Sequence, residues 1–159
     1  MTISITTFLT YDNQAEEAAK LYTSLFFDGK IKDTMRYPTG GPKPEGSVLS
    51  VTFELLGQTY IALNGGPTFT FGQGFSLMVQ VETQAEIDHL WNALTENGGK
   101  AVQCGWLVDK FGVSWQIVPK QLGEMLSAKD RAKSGRAMQA MMGMQKLDLA
   151  KLQAAFEAA

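Results

Sequence analysis

Apolar residues recur at helical spacing in two places, at Ala15, Ala18, Ala19, Tyr22, Leu25 and Phe26, and again at Ile87, Leu90, Trp91 and Leu94. Such spacing predicts two amphipathic helices. Both open on Gln-Ala-Glu, seventy residues apart, at Gln14 and Gln84. Asn13 precedes Glu16 by three and Thr83 precedes Glu86 by three, a pattern that predicts a capping box at each start. Glycine stands at the predicted ends, at Gly29 and at Gly98-Gly99, where a left-handed cap costs little without a Cβ.

Around these helices the period changes to two. Ile3–Thr10 and Phe75–Val81 read as strands, one before each helix, and each helix is followed by a strand, a turn and two more strands. FELLGQTYIALN (53–64) and VDKFGVSWQIVP (108–119) align on Gly57 and Gly112, each between two β-rich runs as a hairpin turn demands. A Pro/Gly-rich loop, PTGGPKPEG (38–46), lengthens the first copy. Alternation puts Ser114, Gln116 and Val118 on one side of the last strand, with Trp115 and Ile117 on the other, towards the helix. Cys104 reads as the start of a strand carrying Trp106 and Val108 on the same side. After Pro119 the pattern turns helical. Leu122–Leu126 reads as a short turn, 130–142 as a helix with Met138, Met141 and Met142 on one face, and 147–157 as a helix carrying Leu147, Leu149, Leu152 and Phe156.

The expected class is therefore α+β, with two βαβββ modules forming a cupped mixed sheet and a C-terminal helical tail. The expected domain is residues 1–120, made of two repeats at about 1–66 and 74–120, with 121–159 a helical extension.

Composition narrows the partners. The formal net charge is −2 over 159 residues, so neither a nucleic acid nor an anionic membrane finds the basic surface it needs. The single cysteine, Cys104, excludes an internal disulfide and suits a reducing compartment. With no basic leader in MTISITTFLTYD and no apolar run near the ~18 residues a span requires, a cytoplasmic protein is expected. The one histidine, His89, lies inside the second predicted helix beside Asp88, and reads as a surface or structural residue.

Three stretches, CGWLVDKFGVSWQIVP (104–119), LNGGP (63–67) and AMQAMMGMQKLDLAKL (137–152), resemble the vicinal-oxygen-chelate superfamily, which includes glyoxalase I, extradiol dioxygenases and bleomycin-resistance proteins. The likeness is strongest to its PhnB-like branch, often labelled 3-demethylubiquinone-9 3-methyltransferase. In that superfamily two His and two Glu on the first and last strand of each module hold a metal in the cup. Carried over residue by residue, those positions fall on Thr6 and Ser76, seven before each helix cap, and on Ile61 and Gln116, four past each hairpin glycine. None is an imidazole or a carboxylate, so neither a metal nor another cofactor is expected. The resemblance also implies a homodimer.

Thr6, Phe8, Ser76, Met78, Gln80, Ser114 and Gln116 would line the cup, with Trp106 and Asn64 at its rim. Trp106 is the candidate for stacking a flat ligand. Cys104 reads as a small buried hydrophobe, with a ligand-contacting thiol as the alternative. Mixed apolar and neutral polar groups suit a modest organic ligand, and no catalytic residue is assigned. The leading reading is a metal-free small-molecule-binding protein. An enzyme of the same scaffold (isomerase, lyase or transferase) is the alternative. An S-adenosylmethionine-dependent methyltransferase is a third, for which no glycine-rich strand-to-helix loop is present.

Overall fold

The computed structural model describes residues 3–159. They form two compact units, one ending at Phe71 and the other beginning at Gly72.

In the first unit, strand β1 (Thr7–Tyr11) leads into helix α1 (Ala15–Leu25), followed by strands β2 (Lys30–Arg36), β3 (Val48–Leu55) and β4 (Gln58–Asn64). They order as β1-β4-β3-β2, with β1 and β4 parallel and the remaining pairs antiparallel. Helix α1 buries Ala15, Ala18, Ala19 and Tyr22. Val51, Phe53 and Ala62 are buried on the helix side of the sheet, and the Tyr22 and Phe53 rings lie 6.1 Å apart. Small alanines let the helix lie close to the sheet, so burial there rests on fitted apolar area.

The second unit repeats this order with strand β5 (Leu77–Val81), helix α2 (Gln84–Thr95), and strands β6 (Lys100–Ala101), β7 (Trp106–Val108) and β8 (Ser114–Pro119). The sheet order is β5-β8-β7-β6, again with one parallel pair. Helix α2 buries Ile87, Leu90, Trp91 and Leu94, and Leu107, Trp115 and Ile117 are buried in the same core. The α+β expectation with two βαβββ modules and a helical tail holds.

Three local expectations change. The capping box forms at Thr83 and Glu86, but not at Asn13 and Glu16. Helix α1 has Gln14 at its N-cap with no side-chain cap, and the Ala15 N–H donates to Asn64 Oδ1 at 2.9 Å instead. The strands begin later than alternation suggests, at Thr7 and Leu77, because the residues before them have no ladder partner. Leu122–Leu126 is not a turn but part of helix α3 (Lys120–Ser127), which precedes α4 (Arg131–Met142) and α5 (Leu149–Glu157).

The tail belongs to the second unit. Leu122, Met125, Ala137, Leu147 and Leu152 form its buried cluster, and Val118 of β8 packs against it. Asp130 and Asp148 cap α4 and α5, each accepting backbone N–H groups, and those bonds hold both carboxyls below the ordinary aspartate range. The segment before α5 ties back to the repeat. Cys104 and Gly105 donate their N–H groups to Met144 and Gln145 carbonyls at 2.8 Å each. Gln84 at the start of α2 donates to the Leu147 carbonyl and accepts from the Leu149 N–H.

The hairpin between β3 and β4 turns through Leu56 (φ 49°) and Gly57 (φ 78°). Two successive positive φ values make a type I′ turn, which favours Asn-Gly. Leucine is strained there, and at 52% exposure it gains little in return. Leu56→Asn is expected to raise stability by about 1 kcal/mol, read from the denaturation midpoint; an unchanged or lower midpoint would contradict the turn assignment.

Candidate functional site

The helix covers one face of each sheet, and the candidate residues concentrate on the other. In the second unit, ladder register sets Met78, Gln116 and Trp106 side by side on three neighbouring strands. Directly opposed residues on adjacent strands share a face, with Cβ atoms roughly 5 Å apart. Ser76, just before β5, joins this row through its hydroxyl oxygen, which accepts from Gln116 Nε2 at 2.9 Å. Met78 is 55% exposed; Ser76, Gln116 and Trp106 are half-buried. Trp115, next to Gln116, points the other way and is buried, as alternation along the strand requires.

The remaining candidates are less closely grouped. Gln80 is exposed and pairs in register with Val118, one row away. Ser114 shares the parity of Gln116 on β8 yet is 3% exposed, which leaves it little surface to offer. Cys104 does not start a strand: it occupies a turn at φ 60° and is tied through its backbone to Met144. Its backbone is tied to the tail, and β7 begins only at Trp106.

Thr6, Phe8 and Asn64 belong to the first unit. Thr6 is exposed ahead of β1. Phe8, 54% exposed, is in register with Ile61, which in turn pairs with Thr52. That face also carries Glu54, bonded by Lys30 at 3.1 Å and Lys32 at 3.5 Å, and chiefly the Lys30 hydrogen bond holds its carboxyl below the ordinary range. Asn64 is buried, and both ends of its amide are committed, Oδ1 to the Ala15 N–H and Nδ2 to the Val48 carbonyl. It positions helix α1 rather than the rim of a site.

Sequence reasoning missed Asp109. A charged pair at a turn, such as Asp109-Lys110, is ordinarily solvated, but Asp109 is 2% exposed. Its Oδ1 accepts from the Phe111 and Val113 N–H groups, and its Oδ2 accepts from the Trp115 indole at 2.9 Å. The carboxylate thus fixes the β7–β8 hairpin and the ring behind Gln116. An acid three residues before the hairpin glycine and six before a tryptophan was the available signal. Thr52 was missed as well, although pairing outward from Leu56-Gly57 places it opposite Ile61.

The donor chemistry at the metal positions of the superfamily does not fit a divalent ion. Ile61 has no donor atom, Thr6 and Ser76 offer neutral hydroxyls, and Gln116 offers a single neutral amide oxygen. Borderline metals want three or four imidazole, carboxylate or thiolate donors together. Among the described residues no three His, Cys, Asp or Glu side chains converge, and His89 is exposed on α2.

The family pattern of 3-demethylubiquinone-9 3-methyltransferase matches residues 3–118. This chain belongs to that family. It is 39% identical to a PhnB protein of Bacillus cereus described by the same methyltransferase name, over 74% of this chain and 99% of the other, with a TM-score of 0.67. A Pseudomonas aeruginosa protein is 21% identical over 74% of this chain and 98% of its own, with a TM-score of 0.60. A fosfomycin resistance protein of Listeria monocytogenes, 11% identical over 78% and 98%, shares the fold at a TM-score of 0.51. No curated protein matches the chain in sequence. The family accordingly has the vicinal-oxygen-chelate fold, as the resemblance implied. Its pattern ends at residue 118, so helices α3 to α5 lie outside it.

The methyltransferase in the family's description would need S-adenosylmethionine, and the residues present do not fit that cofactor. Residues 12–14 and 82–83, the two strand-to-helix loops, contain no glycine to admit a close backbone approach. One N–H at each helix start is also engaged from within, that of Ala15 by Asn64 and that of Glu86 by Thr83 Oγ1, and the Glu86 carboxylate accepts from the Glu82 and Thr83 N–H groups, which hold it below its ordinary range. No helix among the described residues is long and apolar enough to cross a membrane.

Proposed function

We propose that this protein binds a small organic molecule at the Ser76–Met78–Gln116–Trp106 row of its second sheet, on the face away from helix α2, without a metal. The observation that carries the reading is the register that aligns Met78, Gln116 and Trp106, with Ser76 bonded to Gln116. The row supplies an aromatic surface, a thioether and neutral hydrogen-bonding groups. It contains no acid, base or Lewis-acid ligand set to activate the Ser76 hydroxyl, so it offers dispersion and hydrogen bonding rather than bond making or breaking. Binding or sequestration follows from these groups with the fewest additions. Gln80 and Cys104 belong to the same reading as further contacts, and the homodimer implied by the fold belongs to it too. Light scattering at micromolar concentration tests the dimer, and a monomer contradicts it.

A thermal-shift screen of neutral ring compounds tests the binding face. Hits that stabilise the wild type are expected to weaken about tenfold or more in Trp106→Ala, since stacking on an aromatic side chain is worth roughly 1–2 kcal/mol. Hits that bind Trp106→Ala unchanged would place the ligand elsewhere.

A further inference from the structure

Ser76 and Gln116 spend one hydrogen bond on each other and leave the rest of their capacity unused. Gln116 Nε2 donates to Ser76 Oγ at 2.9 Å, leaving Gln116 Oε1 as an acceptor and the Ser76 O–H as a donor. Neither atom bonds any other described residue. Gln116 Oε1 is not buried, since among the described residues only Gln121 Oε1 is both buried and unpartnered. Turning the amide end for end preserves the result: the serine then donates to the amide oxygen, leaving an amide N–H donor beside a hydroxyl lone pair. In either orientation the pair presents a free donor and a free acceptor next to each other. Trp106 stands in register beside Gln116, and its indole N–H also has no partner among the described residues.

We infer that the Ser76–Gln116 pair recognises the donor–acceptor edge of a neutral planar amide, a lactam or ring carboxamide, stacked on Trp106. This rests on the reading of that face as the ligand surface. An amide edge carries one N–H and one C=O pointing the same way, the complement of what the pair offers. A carboxylate or phosphate would bring acceptors only and set one of them against the pair's own acceptor. It would also want a cation, and the Met78–Gln116–Trp106 row has none. Lys100 lies on the edge strand β6, opposite Val108 and two strands from Ser114. A cationic ligand would want a carboxylate, and the row has none of those either. Methionine at 78 completes the surface with a polarizable side chain that adapts to a flat ring.

The test uses 2-quinolone and coumarin, which share an outline and a carbonyl but differ by N–H against ring oxygen, with benzoate as the charged comparison. Binding to the full chain is followed by the NMR signals of the Trp106 indole and the Gln116 side-chain amide. These are assigned with Trp106→Phe and Gln116→Leu. The expected result is about tenfold tighter binding of 2-quinolone than coumarin, the scale of one net hydrogen bond. In Gln116→Leu that ratio falls to about one while the Trp106 signal still moves. Equal binding of the two compounds to the wild type, with Trp106 shifted by both, overturns the amide-edge inference and leaves the ligand face standing. Benzoate binding as tightly as 2-quinolone overturns the neutral-ligand assignment. If no compound moves either signal, the reading of the face fails along with the inference.

Discussion

Asp109→Ala is expected to destabilise the protein by about 4 kcal/mol, lowering its thermal midpoint by about 10 °C. The residue is 2% exposed, and its carboxylate accepts from two backbone N–H groups and one indole N–H at 2.9–3.0 Å. Truncation removes both acceptor oxygens, and with them all three bonds, and strands the donors in a site that water reaches poorly. Each buried donor left unsatisfied costs roughly 1–3 kcal/mol, offset partly by relaxation of the hairpin. Trp115 should report the loss directly through its near-UV circular dichroism, because its indole anchor is gone. Asp109→Asn keeps one acceptor oxygen but turns an N–H group towards a donor, so an intermediate loss is expected. A cost under 1 kcal/mol for the alanine variant would show that the hairpin holds without the carboxylate.

Gly105→Ala is expected to cost about 3 kcal/mol, the sum of a backbone and a packing contribution. Gly105 sits at φ 83°, where a Cβ meets the neighbouring carbonyl. An added Cβ would also lie 2.9 Å from Leu147 Cδ1 and 3.0 Å from the Ile117 carbonyl oxygen. The Ile117 oxygen cannot move freely, since β8 is laddered between β5 and β7. Leu147 is fully buried in the tail cluster, so Leu147→Ala alone should cost about 3 kcal/mol through its cavity. The double variant should lose clearly less than the sum, because removing Leu147 opens room for the new Cβ. Additive losses would mean that the strain is all backbone and that the tail does not press on this turn. The prediction matters for the site, since Gly105 immediately precedes Trp106.

What the sequence revealed and what it concealed differ by range. The Thr83–Glu86 capping box and the inward face of Trp115 rest on contacts within a few residues, and the pattern expressed both. The alignment on Gly57 and Gly112 was legible for the same reason: both turns require positive φ, and glycine tolerates it best. The first helix start looked identical on paper, yet Asn64 supplies its acceptor from 49 residues away. No local spacing encodes such a partner. Cys104 read as strand because its neighbours are β-formers, whereas the Met144 and Gln145 carbonyls draw it into a left-handed turn. Asp109 was concealed for the opposite reason: a charged residue beside a turn glycine reads as solvated, and only the fold places an indole and two N–H groups around it. Of the candidate site, Trp106, Gln116, Ser76 and Met78 were legible by strand counting. The commitment of Asn64 to the backbone and the burial of Ser114 depend on packing that counting does not reach.

The central claim is that this fold holds a small organic ligand without a metal, and native mass spectrometry of the full chain, purified without chelator or affinity metal, tests it most directly. The account predicts a subunit mass free of any stoichiometric metal, and a small organic mass, where one co-purifies, that is lost from Trp106→Ala. A metal at one per subunit that survives buffer exchange would contradict it, and would mean that Thr6, Ile61, Ser76 and Gln116 are not the positions from which this family's chemistry should be read.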